Sequence, residues 1–248
     1  MPTSRILCSS CPACALELAA PIAEFPFNDY RAPGTTVLHG CINCGRAHFK
    51  HSSRGFSSLN WHRKVFDRNT QWSADLHAAL SPRADLRSVI DIGCGIGTWL
   101  KYAESRGSTC LGYDTGADSV EYGVRELGLQ LLPRPFVSKD PDAVSAKATL
   151  LTCIMVLEHL SEPRALVQEI AQYCRQMGAK VYISVPFLNN YGFLKFDDSL
   201  ADYNVFNDVG GHVTYYTDRS MIRMFSDFGL THEATLFPAS WRGMLFRP

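Results

Sequence analysis

The stretch VIDIGCGIGTW, from Val89 to Trp99, limits what this chain can fold into more than any other. A short β-branched run carries Asp91, and glycine then stands at Gly93, Gly95 and Gly97 before a helical pattern begins. Glycines at every second position make a turn whose backbone approaches something closely or takes positive φ. A strand fed into a helix through such a turn aims the first N–H groups of the helix at a ligand. The spacing is G-x-G-x-G, unlike the G-x-G-x-x-G of dinucleotide-binding turns. Asp114 stands at the end of the next β-like run, where a carboxylate accepts both hydrogen bonds of a ribose diol.

The surroundings of that turn read as an α/β sheet. After about residue 60, apolar β-like runs alternate with helical patterns. A helix is expected over Ser73–Leu80 with Ser73 as its cap, then a strand over Ser88–Ile92 and a helix over Thr98–Ser105 with Gly107 just past its end. A strand over Thr109–Tyr113, a helix over Ser119–Leu127 stopped by Gly128, and a short strand over Leu129–Leu132 follow. Ala148–Val156 is nearly all apolar, as a central strand buried on both faces requires. Pro163 opens a helix through Met177, and Val181–Val185 is the next strand. An irregular stretch from Pro186 to Val213 precedes a helix over Asp218–Phe228 and two last strands, Thr231–Phe237 and Trp241–Phe246. The division expected is a small N-terminal module over 1–58 and one α/β domain over 59–248.

Three segments, VIDIGCGIGTW, LGYDTGADSVEYG and LLTCIMVLEHLSEP, resemble in order and spacing the motifs of class I S-adenosylmethionine-dependent methyltransferases. The resemblance covers about residues 60 to 248 and implies a Rossmann-like, seven-stranded sheet ending in an antiparallel hairpin. It implies that Asp91, Gly93, Gly95 and Gly97 flank the methionine moiety of S-adenosylmethionine, that Asp114 holds the ribose hydroxyls, and that Asp140 approaches the adenine.

Methyl transfer needs positioning, and a base only when the nucleophile carries a proton. Glu158 and His159 follow the fourth strand of the α/β region, and His159 is placed to take a proton from a substrate hydroxyl or to orient the loop. The run GGHVTYYTDRSMIRMFSDFGL resembles the segment before the last helix in ubiquinone-biosynthesis O-methyltransferases and in sugar methyltransferases, which makes His212 a second candidate. The ubiquinone enzymes have a further carboxylate three residues before the Glu-His pair; this chain has Met155 there, and magnesium is not expected. The insertion PFLNNYGFLKFDDSLADYNVFND offers Phe187, Tyr191, Phe193, Phe196 and Tyr203 to a ring, and Asn189, Asn190, Asp197 and Asp198 to hydroxyls. A hydroxylated small molecule, a saccharide among the options, is the expected acceptor.

Of nine cysteines, Cys8, Cys11, Cys14, Cys41 and Cys44 fall in the first 44 residues. CPAC and CINC are two C-x-x-C knuckles, and Cys11, Cys14, Cys41 and Cys44 make a structural zinc set with no open position for catalysis. Cys8 competes with Cys11, and His48 with one of the second pair. Cys94, Cys110, Cys153 and Cys174 sit among apolar neighbours and read as buried, inert thiols. The zinc module, with Arg46, Lys50 and Arg54 beside Phe49 and Phe56, resembles in outline that of an rRNA guanine methyltransferase family, so a base of rRNA is the competing acceptor. A charge balance of 24 basic and 24 acidic residues disfavours tight RNA binding, which draws on phosphate contacts. Neither a secretory leader nor a membrane span is apparent, and a cytoplasmic location is the expectation.

Overall fold

A computed structural model of the 248-residue chain describes residues 21–29, 32–40, 47–49, 59, 63, 70–187, 212, 214–237 and 242–248. In chain order the first elements are β1 (Pro21–Asp29), β2 (Ala32–Gly40), β3 (Ala47–Phe49), α1 (Thr70–Leu80), β4 (Ser88–Ile92) and α2 (Thr98–Ser105). Next come β5 (Thr109–Tyr113), α3 (Ala117–Leu127), β6 (Leu131–Leu132), α4 (Pro141–Ala146), β7 (Leu150–Ile154) and a 3₁₀ turn at Leu157–His159. The chain finishes with α5 (Pro163–Met177), β8 (Lys180–Ser184), β9 (Thr214–Tyr215), α6 (Asp218–Ser226), β10 (Thr231–Leu236) and β11 (Gly243–Arg247). Contacts divide it into two units: Met1–Gly55 with Glu158–Arg164 and Pro186–Met224, and Phe56–Leu157 with Ala165–Val185 and Phe225–Pro248.

The second unit holds a seven-stranded mixed sheet in the order β10-β11-β8-β7-β4-β5-β6. Strands β8, β7, β4, β5 and β6 are mutually parallel, and β11 runs antiparallel between β8 and β10. This is the α/β Rossmann-like sheet with a closing hairpin that the motif order implies. From β4 the chain steps to β5 and β6 on one side, then returns to β7 on the other. The strand order therefore reverses between β4 and β7, the crevice at which open α/β sheets bind ligands.

Apolar pattern decides the core. Leu150, Leu151, Thr152 and Cys153 of β7 are all fully buried, as a strand covered on both faces must be. Leu76, Leu80, Trp99, Leu100 and Val120 pack from the helices into the same cluster as Val89, Leu131 and Leu245. The four scattered cysteines are buried, and burial pushes the Cys110 and Cys174 thiols up to about 12, which keeps them unreactive at neutral pH. Helix ends follow local chemistry. Gly128 closes α3 in the left-handed conformation, and Thr217 and Ser220 open α6 by each accepting the other's backbone N–H.

Some local expectations need correction. Helix α1 begins at Thr70, so Ser73 lies in its first turn, fully buried, and is not its cap. Helix α3 starts at Ala117 and not Ser119, and the third parallel strand shrinks to Leu131–Leu132 before the prolines. Helix α4 was not expected, although Asp140 caps it through the Asp142 N–H and Pro141 supplies the fixed φ of its first position.

The first unit contains a four-stranded antiparallel sheet, β1-β2-β3-β9, in a region that reads as irregular from composition. Prolines at 26 and 33 discourage a strand reading, but β1 is an edge strand and Pro33 sits near the start of β2, the positions that tolerate proline. The four cysteines proposed for zinc, together with Cys8, and the acceptor-loop residues 189–203 lie outside the described residues. Of the ring candidates, Phe187 is fully buried and bridges to Tyr216, so its ring belongs to the packing. Among the described residues, no helix is long and apolar enough to cross a membrane.

Candidate active site

At the carboxyl end of β4 the chain turns on Gly93 (φ 75°), Gly95 (φ 56°) and Gly97 (φ 85°). The Gly93 and Cys94 N–H groups both donate to Tyr113 O, at 2.7 and 3.1 Å, which binds the turn to the end of β5. A β-carbon on Gly93 would overlap Val156 Cγ2, so backbone and neighbour leave no room for a side chain. Gly97 occupies the N-cap of α2 without any side-chain cap, leaving that helix start to the turn's own backbone.

Asp114 follows β5 and is held as a bracket. Its Oδ2 accepts from the Gly95 N–H at 2.8 Å and its Oδ1 from the Gly116 N–H at 2.7 Å. Each oxygen keeps a lone pair, and the carboxylate is half-buried, so a vicinal diol has two oriented acceptors to meet. The glycine turn and Asp114 are thus joined by a direct hydrogen bond, which spacing alone did not reveal.

Asp91 is buried within β4, and its Oδ1 accepts from Thr152 Oγ1 at 2.7 Å across the register pair Asp91–Thr152. Burial, aided by the nearby Asp114 charge, raises its pKa to about 7 against the pull of the Thr152 bond. Thr152 was not singled out from sequence. Its signal was there, as a hydroxyl in the otherwise apolar run LLTCIMV, because a polar group on a doubly buried strand needs a partner.

Asp140 is largely committed to the fold. Its Oδ1 accepts from the Asp142 N–H, Tyr113 OH and Arg134 Nη2, and its Oδ2 from Arg134 Nε. The Arg134 bonds, the Asp142 N–H and Tyr113 hold its pKa below the usual carboxylate value despite opposing desolvation.

The remaining candidates lie in the first unit. Glu158 and His159 sit on the 3₁₀ turn and His212 two residues before β9. The imidazole rings of His159 and His212 meet edge to face with centroids 4.7 Å apart, and His212 Nε2 stands 4.0 Å from Glu158 Oε1. Glu158 is fully buried, and neither carboxylate oxygen has a hydrogen-bond partner among the described residues. Burial raises its pKa to about 8. Sequence placed Glu158 and His159 side by side; that His212, more than fifty residues on, joins them is a result of the fold. Met155, three residues before Glu158, adopts φ 57°, unusual for a residue with a side chain.

This combination of a reversed parallel sheet, a three-glycine turn and a bracketed aspartate defines the class I S-adenosylmethionine-dependent methyltransferases. The chain belongs to the methyltransferase-domain family, whose match covers residues 62–235. The ubiquinone biosynthesis O-methyltransferase of Aeromonas salmonicida is 28% identical over 116 residues, which is 44% of this chain and 47% of that protein. The chain thus spans about half the length of the curated relatives it matches. Among solved structures, the magnesium protoporphyrin IX methyltransferase of Synechocystis PCC 6803, with bound S-adenosylmethionine, superposes with a TM-score of 0.52 at 13% identity, covering 77% of this chain and 84% of that one. An S-adenosylmethionine-dependent methyltransferase from Mesorhizobium loti gives 0.53 at 15% identity over 74% of this chain and all of that one. At those identities the likeness is one of fold.

Proposed function

We propose that this protein transfers the methyl group of S-adenosylmethionine to an oxygen of a hydroxylated small molecule, with a saccharide or secondary metabolite as the acceptor. The observation that carries the cofactor reading is the Asp114 bracket, a carboxylate locked by Gly95 and Gly116 with one acceptor position left on each oxygen. Bound S-adenosylmethionine would supply an electrophilic methyl carbon on a sulfonium, to which an acceptor oxygen could bond as the C–S electron pair goes to sulfur and the hydroxyl proton to a base.

The residues divide that work. Asp114 accepts from the ribose hydroxyls, and Gly93, Gly95 and Gly97 admit the methionine end against bare backbone. Asp91, with Oδ1 tied to Thr152, offers Oδ2 to the methionine ammonium. Asp140 Oδ2 accepts only from Arg134 Nε among the described residues and keeps a lone pair for the adenine amino group. His159 and His212 handle the acceptor's proton, with Glu158 beside them. The small-molecule choice draws on the ubiquinone-enzyme relative and on the neutral charge balance.

For the N-terminal part we propose a module over 1–58, joined to a methyltransferase domain over 59–248, with a structural zinc ion on Cys11, Cys14, Cys41 and Cys44. In its support, the Gly40–Ala47 strand pair closes the connection 41–46 that contains the second knuckle.

A pH dependence follows from Asp91. Its raised pKa means that the free protein gains stability from the protonated acid below about pH 4 and loses that gain as pH rises through about 7. An ammonium beside it favours the carboxylate, so cofactor binding releases a proton below pH 7. Affinity for S-adenosylmethionine is expected to fall about tenfold from pH 7.5 to pH 6, and Asp91→Asn to flatten that slope. Calorimetry in two buffers of different ionisation enthalpy checks both; a pH-independent affinity in the unsubstituted protein removes Asp91 from the ammonium.

The acceptor is tested with methyl-labelled S-adenosylmethionine, offering total RNA and small-molecule extract separately. Label is expected in small molecules; label in RNA overturns the acceptor reading. Once a product is known, His159→Ala and His212→Ala are each expected to slow turnover by about a hundredfold, the usual size of a lost acid–base group. Unchanged turnover in both variants removes the imidazoles from proton transfer.

A further inference from the structure

We infer that Tyr113 is a positioning residue for nucleobase choice: its phenol fixes the Asp140 carboxylate so that one oxygen is left to accept from a base that carries an amino group. The inference rests on the proposed role of Asp140 toward the adenine and extends it to a residue outside the motif set.

The main chain around Asp140 is tied down first. Phe136, buried in the loop between β6 and α4, meets the rings of Tyr113 and Tyr173 edge to face, at centroid distances of 5.4 and 5.7 Å. The Ser138 N–H donates to Glu169 Oε2 of α5 at 2.7 Å, and Asp140 itself caps α4. With the backbone held, the side-chain torsions of Asp140 are the freedom that remains, and its hydrogen bonds decide them.

Two side chains supply those bonds, and they differ in kind. Arg134 reaches Asp140 through Nε and Nη2, but 43% of its side chain is exposed and Nη2 is shared with Asp142. An ion pair so placed holds its geometry weakly. Tyr113 is 1% exposed, and its hydroxyl donates to Asp140 Oδ1 at 3.1 Å from a ring that Phe136 packs in place. Burial, and after it the Asp140 charge, pushes the phenol above its ordinary range, so it keeps its proton and stays a donor.

The donors are unevenly shared. Oδ1 accepts from the Tyr113 hydroxyl, the Asp142 N–H and Arg134 Nη2, more than its two lone pairs, whereas Oδ2 accepts from Arg134 Nε. Further acceptance therefore falls to Oδ2. The 6-amino group of a purine can donate to it; a 6-oxo group sets lone pairs against a carboxylate and leaves it unpaired. The same residue also holds the glycine turn, because Tyr113 O accepts from the Gly93 and Cys94 N–H groups at 2.7 and 3.1 Å. The groups proposed for the two ends of the cofactor are thus set from one point.

The test is calorimetry on the full-length protein with S-adenosylhomocysteine and with S-inosylhomocysteine, its 6-oxo counterpart. Wild type is expected to prefer the amino base by about a hundredfold or more, and Asp140→Ala to lose that preference. Tyr113→Phe is expected to reduce the preference by about tenfold, the size of one hydrogen bond. It keeps the ring, its contact with Phe136 and the main-chain bonds to the turn, so a melting temperature close to wild type certifies the fold. Added to Asp140→Ala, Tyr113→Phe is expected to change the ratio no further, since the phenol acts through the carboxylate. A merely structural role lowers both affinities equally, and an unchanged ratio in Tyr113→Phe beside a lost preference in Asp140→Ala overturns the inference while the Asp140 reading stands. A preference retained in Asp140→Ala removes that reading and the inference with it.

Discussion

Asp114→Ala is expected to weaken S-adenosylmethionine binding by two to three orders of magnitude while leaving the sheet intact. The substitution deletes both charge-assisted bonds from Gly95 and Gly116 and the acceptors proposed for the ribose. Hydrogen bonds to charged groups are worth about 1.5–3 kcal/mol each. Losing the ribose pair and loosening the turn together costs about 3–4 kcal/mol, or roughly 10²–10³ in affinity. Asp114→Asn keeps one acceptor oxygen and belongs in between. Calorimetry decides; an Asp114→Ala affinity within about threefold of wild type places the ribose elsewhere.

The second large effect is expected at the glycine turn. Gly93→Ala asks an L-residue to hold φ 75° and sets its methyl into Val156 Cγ2. The first term costs about 1–2 kcal/mol and the second about 1–3 kcal/mol. A sum near 3 kcal/mol lowers Tm by roughly 6–12 °C in a chain of this size. Adding Val156→Ala removes the overlap but not the strain, and is expected to recover about half of the loss attributable to the turn. Gly107→Ala is the control, since φ there is 93° but no atom lies within 4 Å of the added carbon. Thermal melts of the four proteins test this, and a Gly93→Ala protein that melts with Gly107→Ala removes Val156 from the argument.

What could be read in the sequence was what local pattern specifies. Strands β4 and β5 and helices α2 and α5 fall at their expected bounds because apolar runs, Pro163 and the terminal glycines set them without help from distant residues. Strand β9 was invisible because two residues carry no periodicity; it exists only because Ala47 and His48 pair with Tyr215 and Thr214. The residues proposed for the cofactor were legible as a motif set, yet the bond joining Gly95 to Asp114 and the Thr152 support of Asp91 depend on strand register. The Glu158–His159 pair could be read directly, whereas its closeness to His212 required the fold.

The pairing of β3 with β9 has a consequence for how the chain is made. Residues 47–48 and 214–215 are joined across about two thirds of the 248-residue sequence, whereas β1 and β2 meet through a two-residue connection. The hairpin can form as soon as it leaves the ribosome, but the outer edge of β3 must wait for most of the polypeptide to be synthesised. Such long-range closure is slow, and an open strand edge invites pairing with another chain in the interval. The sheet of the second unit closes later still, because β11, which pairs with β8, is the last strand to be made.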